Sequence, residues 1–232
     1  MEMMDIAQLA TYISRDVREV GKLASRGHLP GRRVNGEWRF ARAEINHWLE
    51  GHLQTCSAEE LEALEVAHSR DSDDLLFPDL LDETTVAVPL GAATRSSVLR
   101  EIVKLADNSW KVYDPDAILD AITQREEMGS TATVDGVAVP HAHRPLGDGV
   151  LGEALLAFGK TARPIPFGGP KGQMTDLFFL VLSKDDRTHL RTMARLARLF
   201  RRDGFLAELR SMETPAEAYE LLTDAERELF SE

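Results

Sequence analysis

Leu177 to Leu182 reads Leu-Phe-Phe-Leu-Val-Leu, an unbroken apolar run inside Asp176–Ser183. It is far shorter than the roughly 20 residues a membrane-spanning helix needs. It has no polar face, so it is expected to be a β-strand buried on both sides. A strand of that kind needs layers above and below it. The surrounding sequence supplies helices. Thr94 to about Asp107 is amphipathic, with Val98, Ile102, Val103 and Leu105 apolar. Asp114-Pro115 opens another helix to about Glu127, with an acid at the N-cap and proline at the first helical position. Val137–Val139 and Ala154–Phe158 are further strand candidates. A long helix starts at Asp186 with Leu190, Met193, Ala194, Leu196, Ala197 and Phe200. Shorter helices are expected at about 203–211 and 214–229. Strands alternating with helices predict an α/β layer fold.

The first 54 residues have a different texture. Ile6, Leu9, Ala10 and Ile13 follow a helical period, and Val17, Val20, Leu23 and Ala24 repeat it on a second short helix ending at Gly27. Arg33-Val-Asn35-Gly36-Glu-Trp38-Arg39-Phe40 is a hairpin pattern, because Asn-Gly suits the tight turn between strands. Ala43, Ile45, Trp48 and Leu49 form a third helix. Between the two textures, residues 55–74 carry one Arg and seven acids. Ser57 and Glu60 make a capping box for a short helix with Leu61, Leu64 and Ala67. The polar stretch Ser69-Arg-Asp-Ser-Asp-Asp74 then reads as a tether. The expected organisation is 1–54, an acidic linker at 55–74, and 75–232.

The net charge of −12 over 232 residues makes the chain a poor general binder of nucleic acid. Residues 1–54 are near neutral, with eight Lys/Arg against seven Asp/Glu, and are where any DNA contact is expected. A single cysteine, Cys56, excludes an internal disulfide framework and a multi-cysteine zinc site. The N-terminus carries no secretory signal pattern and no apolar run spans a bilayer. A cytoplasmic protein without membrane insertion is expected.

The chemistry concentrates in Thr131–Pro145. A short apolar strand, Val137-Ala-Val139, runs into Pro140 and His141. Proline stiffens the backbone before the histidine, and strand ends are where sites form in α/β folds. From residue chemistry alone, His141 is open to use as a general base, a metal ligand or a nucleophile. No His-Glu-x-x-His pattern and no Cys/His cluster is present, so neither a metal nor a cofactor is expected. Gly168, Gly169 and Gly172 lack the Gly-Lys-Ser/Thr ending of a phosphate-binding loop and read as a turn.

Arg125-Glu-Glu-Met-Gly-Ser130-Thr131 followed by Gly136-Val-Ala-Val-Pro-His141 resembles the active-site region of type-2 enzyme IIA. These are the fructose, mannitol and nitrogen-type IIA domains of the phosphoenolpyruvate-dependent sugar phosphotransferase system. The likeness continues through the buried strand and Thr188-His189-Leu190, and covers about 75–230. It implies a mixed sheet flanked by helices, and His141 as the residue phosphorylated on Nε2. A bond from Nδ1–H to a backbone carbonyl would leave Nε2 to attack. Arg125, sixteen residues earlier, would bind phosphate, and His189 would be the second active-site histidine. Ser130 and Thr131 would meet phosphate. Ala142-His143 departs from the glycine often found just after the phosphorylated histidine.

Residues 3–53 resemble an excisionase-like winged helix-turn-helix, a relative of the MerR DNA-binding domain. The resemblance rests on Val20-x-x-Leu23-x-x-x-Gly27-x-Leu29-Pro30, the Asn35-Gly36 hairpin and Ile45-x-x-Trp48-Leu49. It implies that the second helix enters the major groove, with Arg18 and Lys22 as groove candidates, and that Arg32, Arg33 and Arg39 contact phosphates from the wing. Three departures bear on it: Gly21 on the recognition helix, the acids Asp16 and Glu19, and Ser14 at a common turn glycine. The two resemblances together imply a phosphorelay protein. It would take phosphate from a histidine-containing phosphocarrier and engage a IIB or regulatory acceptor, or DNA through residues 1–54. The alternatives are an uptake carrier serving a separate IIB, and a scaffold that no longer transfers phosphate.

Overall fold

The computed structural model describes residues 2–69 and 76–230. In chain order, the elements begin with β1 Met3–Met4, α1 Ile6–Tyr12, α2 Val17–Ser25, β2 Arg32–Val34, β3 Glu37–Ala41, α3 Arg42–His52 and α4 Ala58–Ala67. Next come α5 Phe77–Leu80, β4 Leu81–Leu90, α6 Arg95–Asp107, α7 Pro115–Met128 and β5 Val137–Ala138. The last are β6 Leu155–Ile165, β7 Thr175–Leu182, α8 Asp186–Phe200, α9 Phe205–Ser211 and α10 Pro215–Glu228. Contacts divide the chain into two units, Met1–Ser72 with Asp186–Arg201, and Asp73–Asp185 with Arg202–Glu232. No helix among the described residues is long and apolar enough to cross a membrane.

In the first unit, the expected helix, helix, hairpin, helix order is present. Asp5 and Gln8 form a capping box on α1, and the Asp16 carboxylate accepts the backbone N–H of Arg18 at 2.8 Å to start α2. Ser14 holds the turn between them at φ 54°, a left-handed conformation that L-residues adopt at a cost. The hairpin turns at Asn35 (φ 52°) and Gly36 (φ 86°), the paired positive φ of a type I′ turn. Arg33 then faces Trp38 across the ladder, and β1 completes an antiparallel sheet in the order β1-β3-β2. Leu9, Val20, Phe40 and Ile45 are fully enclosed.

The helix expected from the Ser57–Glu60 box forms as α4, and it packs on α8. The polar stretch expected as a tether lies largely outside the described residues. Leu61, Leu64 and Glu65 are buried. Arg195 of α8 has no exposed surface, and its guanidinium donates to Glu65 Oε1, from Nε at 2.7 Å and also from Nη2. Arg198 Nη1 donates to Glu65 Oε2 at 2.9 Å. Arg201 donates to the carbonyls of Leu53, Gln54 and Cys56 at the end of the preceding 3-10 turn. The Cys56 thiol is half-buried, and that burial pushes its pKa up, away from reactive thiolate.

The second unit is a mixed sheet in the order β4-β6-β7-β5. β4 runs parallel to β6, β6 antiparallel to β7, and β5 parallel to β7. Leu177 through Leu182 are all buried, as the apolar run requires. Phe178, Leu180 and Leu182 join Val98 and Ile102 of α6 and Ile118 and Ile122 of α7 in one core. β4 was not foreseen: its start is charged and Pro89 interrupts its pattern. It occupies an edge of the sheet, where a strand tolerates proline. The α10 carboxylate of Glu226, fully buried, accepts the backbone N–H groups of Leu76 and Phe77 at 2.8 and 2.9 Å and so anchors the start of α5.

Removing the Glu65 carboxylate strands a buried guanidinium. Glu65→Ala is expected to lower stability by about 3–5 kcal/mol in denaturant unfolding, whereas Glu62→Ala on the same helix changes it by less than about 0.5 kcal/mol.

Candidate functional site

β5 stops at Ala138, but the chain stays beside β7: Val181 N–H donates to Pro140 O at 3.0 Å, and His141 bridges Val181 in parallel. Gly136 makes the turn that feeds this edge strand, at φ 76°. Its carbonyl accepts from the N–H groups of Asp176 and Leu177, which pins the strand's start to β7. His141 is therefore set by the backbone at a strand end and is 1% exposed.

The orientation of its ring is fixed at both nitrogens. Nδ1 lies 2.7 Å from Val139 O, a backbone carbonyl bond of the kind the resemblance implies. Because a carbonyl only accepts, the proton sits on Nδ1 and Nε2 presents its lone pair. Arg125 Nε donates to that lone pair at 3.1 Å. Arg125 stands on the last turn of α7, is 6% exposed, and ties Nη1 to Gly129 O at 3.0 Å. A nucleophile-competent nitrogen and a planar cation with several donors thus meet in a site largely closed to water.

Ser130 and Thr131 lie in the loop just beyond Gly129, and their hydroxyls tie it to its neighbours. Ser130 Oγ donates to Phe167 O at 3.1 Å, close against Gly168, where φ is +107° and an added Cβ would sit 3.0 Å from Ser130 Cβ. Thr131 donates its hydroxyl to Glu126 Oε1 and its N–H to the same carboxylate at 3.2 Å. Glu126 is 2% exposed and also receives Arg95 Nη2 at 2.9 Å. Glu126 and Arg95 were missed at the sequence level. The only signal for Glu126 was its place next to Arg125, and none pointed to Arg95. Gly168 to Gly172 form a turn, as expected, with a short 3-10 segment at Pro170–Gly172.

His189 belongs to the first unit, on the first turn of α8. It is 7% exposed, with Nε2 2.9 Å from Glu50 Oε1. His143 is half-buried, two residues beyond His141. The basic residues of the N-terminal module divide by exposure. Arg18 and Lys22 stand exposed one turn apart on α2, and Arg32 and Arg33 are exposed on the hairpin. Arg33 lies over the Trp38 ring at 5.2 Å. Arg39 is half-buried and pairs with Glu37 at 2.6 Å. The acids on α2 are engaged: Asp16 caps the helix, and Glu19 meets Arg15 at 2.5 Å.

Without the Glu126 carboxylate, the loop that carries Ser130 and Thr131 loses its anchor. Glu126→Ala is expected to cost about 1–3 kcal/mol of stability through the unpaired donors it leaves, with the fastest-exchanging new amide at Thr131 in hydrogen exchange.

Comparison with known proteins gives the family and the fold. The family model described as phosphoenolpyruvate-dependent sugar phosphotransferase system, EIIA 2, matches residues 79–225, and a helix-turn-helix domain model matches residues 3–53. A nitrogen regulatory protein of Bradyrhizobium diazoefficiens is 31% identical over 147 residues, which is 62% of this chain and 92% of that protein. Among solved structures, the nitrogen regulatory protein IIA-Ntr of Neisseria meningitidis superposes with a TM-score of 0.56 at 23% identity, over 64% of this chain and 99% of that one. The enzyme IIA of mannitol from Escherichia coli, solved in complex with phosphorylated enzyme IIB, gives 0.52 at 19% identity, over 62% and 97%. At these identities the solved structures speak for the fold.

Proposed function

Because the chain belongs to the EIIA 2 family of the phosphoenolpyruvate-dependent sugar phosphotransferase system, we propose that it is a phosphohistidine carrier of the regulatory kind, with His141 as the acceptor. The observation that carries this is the His141 ring, held by Val139 O at Nδ1 and met by Arg125 at Nε2. The donor is a histidine-containing phosphocarrier protein. The Nε2 lone pair attacks phosphorus, the donor's N–P bond breaks, and the electron pair returns to the donor's ring. No proton needs to move, because His141 keeps its proton on Nδ1 throughout. As the donor arrives, Arg125 gives up its bond to the nitrogen and turns its donors to the phosphoryl oxygens. A planar guanidinium suits that task. Catalysis is then positioning plus charge stabilisation. His189 assists at the phosphoryl group, and Ser130 and Thr131 shape the loop beside it.

The acceptor is a regulatory protein or a IIB protein. Regulation is favoured by the pairing of an EIIA 2 match with a helix-turn-helix match in one chain, and by a relative named as a nitrogen regulatory protein. The N-terminal module engages DNA through α2 and its hairpin, with Arg18 and Lys22 toward bases and Arg32, Arg33 and Arg39 toward phosphates. Asp16 and Glu19 oppose that contact, although Glu19 is paired with Arg15.

Incubation with phosphoenolpyruvate, enzyme I and the small histidine phosphocarrier is expected to add one acid-labile phosphate, read by intact mass. His141→Ala is expected to take none, and Arg125→Ala to take it about 10²-fold more slowly. An unlabelled wild-type protein beside an active donor would refute the carrier reading. For the N-terminal module, duplex fragments selected in vitro are expected to bind with a salt dependence whose log–log slope falls by about two when Arg32 and Arg33 are both changed to alanine. Failure of selection would leave α2 and the hairpin as a protein-docking surface.

A further inference from the structure

Arg210 stands near the end of α9, far along the chain from His141 but in the same unit. Its guanidinium lies across the starts of two neighbouring strands. Nε donates to both carboxylate oxygens of Asp176, at 3.0 and 2.9 Å, and Nη2 donates to Asp176 Oδ1 at 2.9 Å. The same Nη2 donates to the backbone carbonyl of Asp135 at 2.6 Å. Asp176 is the second residue of β7, and Asp135 precedes Gly136 in the turn into β5. The end of α9 is itself held in place, because Lys160 of β6 donates to the carbonyls of Arg210 and Met212 at 2.8 and 2.5 Å. The guanidinium passes close against Gly136, where an added Cβ would sit 3.0 Å from Nη2 and 3.1 Å from Met174 O. A planar cation that serves a carboxylate on one strand and a carbonyl before the next fixes the two relative to each other.

The strand so fixed is the one that delivers His141. β5 pairs with β7 at Val137 with Leu177 and Ala138 with Phe178. It is also hung at its two ends. Gly136 O accepts the N–H groups of Asp176 and Leu177, and Pro140 O accepts Val181 N–H. Val139, whose carbonyl holds His141 Nδ1, lies between these two anchors. A strand this short has little pairing of its own to keep its place. We propose that Arg210 is a positioning residue for phosphoryl transfer: through its bond to Asp135 O it holds the start of β5 on β7, so that Val139 O and the His141 ring keep the alignment that Arg125 meets. The proposal rests on the reading of His141 as the phosphoryl acceptor. Arg210 acts on the ring through the main chain. A transfer that depends on alignment is sensitive to a shift of about 1 Å in the reacting atom, even when its cause is remote.

The test uses the full chain and measures single-turnover transfer from the phosphorylated phosphocarrier at increasing donor concentration. Wild type, Arg210→Ala and Arg210→Lys are compared, with thermal unfolding of each. Arg210→Ala is expected to lower the saturating rate about tenfold or more, with the half-saturating donor concentration unchanged. Lysine keeps a cation for Asp176 but lacks the planar fork. Arg210→Lys is therefore expected to unfold close to wild type and still transfer several-fold more slowly, which a purely structural role would not produce. The ¹⁵N signal of His141 Nδ1 is expected to shift in both variants, a readout independent of transfer. Wild-type rates in both variants, beside a His141→Ala control that takes no phosphate, would overturn the proposal and leave the carrier reading standing. A wild-type rate in Arg210→Lys alone would assign the effect to the charge beside Asp176 and not to the bond with Asp135, and would overturn it too. So would unchanged His141 ring signals, or a loss seen only as a higher half-saturating donor concentration. A wild-type protein that takes no phosphate at all defeats the carrier reading itself, and the proposal falls with it.

Discussion

Arg195 holds a positive charge where no water reaches it, and the first unit is arranged around that fact. An unpaired guanidinium in such a place is untenable, so α8 is obliged to lie where α4 can present Glu65. Arg198 shares the same carboxylate, and Arg201 gathers three carbonyls from the turn before α4. One helix is thus fastened along its length to a segment more than a hundred residues earlier. The same helix carries His189 at its other end, against Glu50. Charge pairs thus fasten α8 near both of its ends.

In the second unit the governing device is a backbone one. Pro140 and the bridge to Val181 bring His141 to a strand end, and a carbonyl two residues back selects the tautomer. The cation that meets the remaining nitrogen comes from the end of α7, and the next residue on that helix, Glu126, holds the following loop in place. Two adjacent residues on one helix end therefore do separate tasks, one facing the imidazole and one bracing the loop around it. The arrangement is tight because each part is tied to main chain on at least one side.

Much of this was legible in the sequence wherever the cause was local. The capping box at Ser57, the Asp114-Pro115 helix start, the Asn35-Gly36 turn and the apolar run in β7 each specify their element from a few neighbouring residues. The bond at Nδ1 of His141 came from the resemblance alone, although its partner lies only two residues away. The failures share a different physics. β4 is a strand because β6 pairs with it, and its own charged start and Pro89 conceal this. β6 likewise runs on to Ile165, where its own pattern was read only as far as Phe158. Arg95 with Glu126, Glu65 with Arg195, and Glu50 with His189 are charge pairs between distant segments. Nothing at either position announces the other. Segment 58–67 read as a helix leading into a tether because its acids look solvated, yet Glu65 is the one that is buried.

The first unit has a further property that follows from its being built from two pieces of chain. A ribosome releases α4 long before it makes α8. Glu65 and Arg195 are separated by 130 positions, so at roughly 5–20 residues per second the nascent segment waits on the order of ten seconds for its counter-charge. During that time Glu65 has to stay hydrated and α4 cannot settle. The first unit is therefore not made from the front of the chain alone. Its α4 is completed by α8, and a gene fusion that joined this unit to some other domain would have to bring α8 along.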